Sequence, residues 1–541
     1  MLETAPHRGS STTVADPILT PRTMLPAALA ILLVAGASLH FFYARGLTNL
    51  YGDAIAHMEG ARRFSDSLTP GWEEIGSAWL PLFHLLVAPL AVNDHLWRTG
   101  LAGSLVSMAA FAVACWFVFR LGAEMNRNLA AGWVALVGFL FCANMLYVAS
   151  APLTEPLNIM WAVVVVWGLF RFQQSGSLTT LVAAGIAAFF GTLTRYDGWY
   201  LIPFAAIFVL LARPRGLVQR LRDAAIFGAL ACAGPLLWVL HNWHRFGNPL
   251  EFYNGPYSAK AIYAHQLLTT GFHYPTEGSY LLSARYYLED VKLVIGVGSL
   301  ELAVLGFAAW AIDARVRPRG AAALLFLVPL IFYVQSMAGA AVPIYVPTLF
   351  PHTYYNLRYG LEMLPATALF PSFLLSARLV RRKRLLAAAT AIAILAVQFG
   401  ASIRGGAASI GNVQESLQNT PCHTRSEEAL IKLLSEDYRG GTILTANGKH
   451  PCLLPTLGIP YRRTLTEINR RYWGLLPYGP AHWPEGSPEA NVTWIVRGED
   501  DAVDRLMRQY PNAFNDFMLV ADYRFAKEDR VRVYRKVVSE R

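Results

Sequence analysis

The chain has 541 residues, 54% of them hydrophobic and only 15% charged, with a positive mean hydropathy. A composition this apolar excludes a soluble protein of that length and points to a polytopic membrane protein. The net charge of +10 would suit a nucleic acid, but the arginines cluster between apolar runs, as in the cytoplasmic loops of membrane proteins, so nucleic acid is set aside as a partner.

The first 23 residues are polar and proline-containing, a lead too long for a cleaved signal peptide, so the uncharged run 24–43 reads as a retained first span. Further apolar runs lie at 100–119, 129–149, 154–172, 178–193, 199–212, 224–243, 293–312, 321–342, 359–377 and 385–403, giving about eleven membrane helices in all. The segment 79–92, WLPLFHLLVAPLAV, has two prolines and a histidine. If it does not span, the basic loops 213–222, 313–320 and 378–384 all fall on the side of the N-terminus, which the positive-inside rule makes cytoplasmic. Residues 44–99 are then one long outer loop, and the chain ends outside the inner membrane.

From residue 405 to 541 charge is evenly spread, and strand-like runs appear at 442–447, 492–497, 517–523 and 531–537, with a helical pattern in DDAVDRLMRQY between the middle two. The fold class expected is a polytopic α-helical membrane protein with a small extracytoplasmic α/β domain at its C-terminus. Cys115, Cys142 and Cys232 lie in apolar runs as packing residues. Cys422 and Cys452 fall in the C-terminal part, where a disulfide and two free thiols are equal readings.

Ionisable residues gather on the outer side of this topology. They are Asp53 with His57 and Glu59; Glu73, Glu74 and His84; Glu155 in APLTEPL; Arg195 and Asp197 in TRYDGWY; and His352, Arg358 and Tyr359 in HTYYNLRYGLEMLP. Taken singly, each has a plain structural role: Asp53 as a helix cap, Glu155 as a first-turn carboxylate, the arginines as interfacial anchors. Their shared sidedness favours a site.

The ordered set YGDAIAH, WLPLFHLL, APLTEPL, TRYDGW, NWHRFGNPLEF and NLRYGLEMLP resembles the bacterial membrane glycosyltransferases of the GT-C superfamily, relatives of protein O-mannosyltransferases and aminoarabinose transferases. The resemblance covers residues 24–404 and implies a sugar donor linked to polyprenyl phosphate. It implies that Asp53 is the catalytic acidic residue of the first outer loop, that Glu73 or Glu74 approximates a second acidic position, and that Arg358 lies near the donor phosphate. Leu80-Pro81-Leu82 stands where the family has two prolines, a departure at that second position.

The chemistry of such a transfer calls for a carboxylate to take the acceptor's proton and for cations to meet the charge of the leaving phosphate. Asp53 is the expected base, and Arg358, then Arg195 and His352, are the expected phosphate ligands. Glu74, Glu155, Asp197 and Tyr359 are candidates for binding substrate or a divalent metal. The need for a metal and the nature of the acceptor (lipid, glycan or protein) stay open. A transporter or flippase of lipid-linked sugars is the alternative, disfavoured by charges at helix ends and by the lack of an internal repeat. A non-catalytic scaffold is a third reading.

Overall fold

A computed structural model describes residues 18–376, 383–404, 406, 409–526 and 530–537. Most of the basic run 378–384 and of the polar tail 1–23 lies outside the described residues. Helix α1 (Pro21–Ala44) starts in a capping box between Thr20 and Thr23 and is 24 residues long, roughly 36 Å at the helical rise and so enough to cross a bilayer. The long loop that follows holds α2 (Gly52–Arg63), α3 (Leu82–Ala91) and α4 (Asp94–Arg98). With 10 residues, α3 is too short to span.

Next come α5 (Leu101–Asn126), α6 (Leu129–Leu140), α7 (Ala143–Ala149), α8 (Glu155–Ser175), α9 (Leu178–Thr192), α10 (Asp197–Leu211) and α11 (Leu217–Phe246). Small residues let the hairpin α5–α6 close tightly. A Cβ on Gly122 would stand 2.8 Å from the backbone oxygen of Ala131, and one on Gly132 would stand 2.9 Å from that of Phe119.

The expectation of about eleven spans is corrected. Among the described residues five helices are long and apolar enough to cross a membrane: α1, α5, α8, α11 and Arg317–Ala338. Two bent pairs raise the number to seven at most: α6 with α7, bent by 66°, and Tyr280–Ile295 with Val297–Ile312, bent by 109°. The shortfall has physical causes. Helices α9 and α10 have 15 residues each, about 22 Å, against a hydrocarbon core of roughly 30 Å. The run 359–377 is no continuous α-helix: it passes through 3₁₀ turns at Leu357–Met363 and Phe370–Ser376 around a short α-helix, Leu364–Leu369. Helix Arg384–Arg404 is described along its backbone, with its side chains described only in part, and is not among these spans.

The C-terminal region holds a five-stranded sheet in the order β2-β1-β3-β5-β4. The strands are β1 (Thr442–Leu444), β2 (Thr464–Leu465), β3 (Val492–Gly498), β4 (Phe517–Tyr523) and β5 (Val531–Lys536). β1 runs parallel to β2 and β3, while β5 is antiparallel to both β3 and β4. All four strand-like runs of the sequence are strands, and the helical pattern is the helix Ala502–Gln509, which buries Val503, Leu506 and Met507. Cys422 and Cys452 form a disulfide.

This region rests on the long first loop. Arg63 donates to Asn447 Oδ1 (2.7 Å), Arg98 donates to the carbonyls of Pro455 and Thr456 (2.7 and 2.9 Å), and Asp66 accepts from the Tyr461 amide and from Arg462.

Candidate active site

Several tight backbone features carry the ionisable residues to one place. Asp53 is the second residue of α2, where a carboxylate meets the positive end of the helix dipole. Glu155 opens α8 between Thr154 and Pro156, and Asp197 opens α10. Arg195 occupies the short connection between α9 and α10. Arg358 and Tyr359 begin the 3₁₀ segment Leu357–Met363, which follows Asn356 in the left-handed conformation (φ 57°).

Arg358 and Arg195 are the hubs. Arg358 donates through Nε to Glu155 Oε1 (2.8 Å) and through Nη2 to Asp53 Oδ2 and to the Tyr359 hydroxyl (3.2 Å). Its Nη1 stands 3.9 Å from Glu415 Oε1. Arg195 donates through Nη1 to the same Glu155 oxygen (2.8 Å) and to Thr154 (2.9 Å), and through Nη2 to the Tyr333 hydroxyl (3.2 Å). Its Nε lies 3.4 Å from Asp197 Oδ2 and 3.8 Å from Glu362 Oε1. Tyr333 in turn donates to Asp197 (2.9 Å), and Asn158 donates to Glu362 (3.1 Å). The two guanidinium carbons are 4.9 and 4.8 Å from the centre of the Tyr359 ring, within cation–π range.

The cluster is closed except at Asp53. The side chain of Asp53 is 44% exposed, against 5% for Arg358 and 1% for Glu155. Five carboxylates (Asp53, Glu155, Asp197, Glu362 and Glu415) surround two guanidinium groups, and Glu155 Oε2 and Glu362 Oε1 have no hydrogen-bond donor. Burying so many charges costs folding free energy that their mutual attraction does not fully return. Burial also holds the Glu415 carboxyl above the usual carboxylate range, against the opposing pull of Arg358.

One turn along α2 from Asp53, His57 Nδ1 lies 2.9 Å from Nε2 of His84. His57 also packs against Trp79, with ring centres 4.4 Å apart. Burial pushes both imidazoles down to about 3, helped for His57 by the nearby arginines and for His84 by His57. Both rings are therefore neutral near pH 7, one nitrogen donating and the other accepting.

Of the residues singled out in the sequence, Asp53, Glu155, Arg195, Asp197, Arg358 and Tyr359 converge. Glu74 does not: it is buried against Arg63 (3.0 Å) and accepts from Thr69. Glu73 is exposed, 3.7 Å from Arg245. His352 stands in an exposed turn with Nδ1 3.1 Å from the Pro347 carbonyl, and neither arginine touches it. Sequence reasoning missed Glu362, Tyr333, Tyr51 and Glu415. Glu362 sits inside the NLRYGLEMLP run, four positions after Arg358, so a closer reading could have found it. Glu415 lies beyond the change in composition and gives no local signal. Among the described residues no three His, Cys, Asp or Glu side chains are grouped so as to hold a metal ion; the carboxylates of the cluster are turned to arginines instead.

No family model and no curated protein matches this sequence. Solved structures do. ArnT from Cupriavidus metallidurans bound to undecaprenyl phosphate matches with a TM-score of 0.57 at 13% identity, over 96% of this chain and 99% of that one. The apo state of the same protein matches with a TM-score of 0.53 at 14% identity, over 94% and 98%. The mycobacterial arabinofuranosyltransferase AftD matches with a TM-score of 0.48 at 15% identity, over 97% of this chain and 40% of that one. At such identities the likeness is one of fold, and with ArnT it runs nearly end to end in both chains, through the membrane helices and the C-terminal sheet alike. The chain has a polytopic α-helical fold that it shares with ArnT.

Proposed function

We propose that this protein is a membrane glycosyltransferase that moves a sugar from a polyprenyl-phosphate-linked donor to an acceptor hydroxyl at the outer face of the cytoplasmic membrane. Asp53 is the general base. The observation that carries this reading is the position of Asp53. It is the exposed member of an otherwise buried charge cluster, and Arg358 holds its Oδ2 while Oδ1 has no hydrogen-bond donor among the described residues. Further support comes from the fold shared with ArnT, whose structure was solved with undecaprenyl phosphate.

In the reaction the acceptor oxygen forms a bond to the anomeric carbon as the bond from that carbon to the phosphate oxygen breaks. The acceptor proton passes to Asp53 Oδ1, and polyprenyl phosphate leaves with the electron pair. A single displacement of this kind inverts the anomeric centre. Arg358 has a double role: it fixes the carboxylate through Nη2, and through Nη1, which makes no hydrogen bond within the protein among the described residues, it meets the leaving phosphate. Arg195 supports it from the far side of Glu155. Tyr359, between these groups, donates its hydroxyl proton to the same phosphate. Glu155 and Asp197 orient the arginines.

A second reading, a transporter or flippase of lipid-linked sugars, is favoured by one observation: the buried carboxylates outnumber the arginines, and some of their oxygens are unpartnered, a pattern suited to proton coupling. The two readings separate in a reconstituted system. Wild-type protein in nanodiscs, given a panel of undecaprenyl-phosphate sugars and a mixed acceptor extract, releases undecaprenyl phosphate if it is a transferase. Translocation of the intact donor across sealed vesicles without release means the transporter.

A further inference from the structure

We infer that Glu415, contributed by the segment after the last apolar helix, is the positioning residue that holds both halves of the Asp53–Arg358 pair in register; the inference rests on the reading of that pair as the reaction centre. Glu415 lies on the helix Gly411–Asn419. Its Oε1 accepts from the amide of Asn356 (2.6 Å), and its Oε2 accepts from the amide of Leu357 (3.0 Å) and from the hydroxyl of Tyr51 (3.0 Å).

The first two contacts cap the 3₁₀ segment that begins with Leu357 and Arg358. Asn356 precedes that segment without making a side-chain cap of its own, so its open amides are met by a carboxylate from a distant part of the chain. The third contact holds Tyr51, the residue that precedes α2 and stands two positions before Asp53. One carboxylate thus fixes the start of both elements whose side chains meet at the site.

The helix that carries Glu415 is itself pinned. Asn412 donates to the Tyr51 hydroxyl (3.1 Å) and takes the Asn144 side chain on its amide (3.0 Å), and Ser416 accepts from Tyr147 (2.6 Å). Positions 412, 415 and 416 share one helical face. Three donors and a nearby guanidinium converge on this side chain; an amide offers them one acceptor oxygen and a carboxylate two.

The test uses the full-length protein in nanodiscs. Arginine modification by phenylglyoxal is followed at Arg358 by peptide mass spectrometry, with exposed Arg462 as the internal standard. Wild-type Arg358, 5% exposed, reacts slowly. Glu415→Gln and Glu415→Ala raise its rate about tenfold or more, the size expected when a hydrogen bond to a charged group is lost, while Glu415→Asp gives a smaller rise. On any donor the wild type turns over, Glu415→Gln lowers kcat and leaves the donor KM nearly unchanged. If Arg358 stays as protected in folded Glu415→Gln as in wild type, or if Glu415→Asp and Glu415→Ala behave alike, the inference is overturned. A wild type that turns over no donor defeats the proposed function instead, and the modification rates still decide the role of Glu415.

Discussion

Asparagine at position 53 keeps the shape of aspartate and removes both its charge and its basicity. The two consequences differ in size. With Asp53 44% exposed, its ion pair with Arg358 is screened by solvent and is worth about 1 kcal/mol or less to folding, and the asparagine oxygen still accepts from Arg358 Nη2. A general base contributes roughly 10²–10⁴ in rate, equivalent to about 3–5 kcal/mol of transition-state stabilisation. Asp53→Asn is therefore expected to melt within a few degrees of wild type and to lose at least about two orders of magnitude in kcat for release of undecaprenyl phosphate. The assay follows labelled donor and product in nanodiscs, alongside a melting curve on the same preparation. A well-folded Asp53→Asn that keeps more than about a tenth of wild-type turnover refutes the assignment, because no positioned base contributes so little.

Glu155 should behave in the opposite way. It is 1% exposed and its Oε1 serves both arginines at 2.8 Å, so Glu155→Ala leaves two buried cations without their shared partner and costs about 3–5 kcal/mol of stability; a melting curve that overlays wild type contradicts this. The histidine pair predicts an acid-sensitive fold. Both pKa values are depressed to about 3, so the neutral rings stabilise the native state fully above the unfolded value of about 6.5, and that contribution falls as pH drops toward 3, by up to about 1.4 kcal/mol per pH unit for each ring. Melting temperatures between pH 7 and pH 5 should fall less steeply in His84→Asn, and equal slopes for the two proteins argue against the mechanism. The Cys422–Cys452 bridge spans a sequence separation of 30, for which chain entropy gives about 3–4 kcal/mol. The double serine variant should melt earlier, and its melting curve should no longer respond to reductant.

What could be read in the sequence follows from the range of the interactions involved. The four longer strands and the helix Ala502–Gln509 announce themselves by local alternation, whereas β2, with two residues, is too short to show a period. Apolar runs reveal that a segment is buried but not whether it is long enough or straight enough to cross, which is why α9, α10 and the 3₁₀-rich stretch after Arg358 read as spans in the sequence and are too short or too irregular in the structure. At the site, Asp53, Glu155, Arg195, Asp197 and Arg358 were each visible as polar residues beside apolar runs. Their convergence was not, since Arg358 meets Asp53 across 305 residues of chain. His352 is expected at the phosphate as a helper to Arg358, but the left-handed turn at Asn356 and the bridge between Tyr345 and Tyr355 separate the two.

The same geometry shows what the C-terminal region does for the site. The helix that carries Asp53 is held at both ends by residues beyond the last apolar helix. At its start Tyr51 is bonded to Glu415 and Asn412. At its end Arg63 donates to Asn447, and Arg62 is paired with Asp66, which in turn accepts from Tyr461 and Arg462. Removing the whole region from residue 405 would release both ends at once, so lost activity after that deletion would say nothing of acceptor recognition by the sheet. A truncation that keeps the helix Gly411–Asn419 frees only the far end of α2. Since Asp53 lies within the first turn, two positions after the Tyr51 that Glu415 holds, and Arg63 lies at the last, the shorter deletion separates holding the base in place from any role of the sheet toward the acceptor.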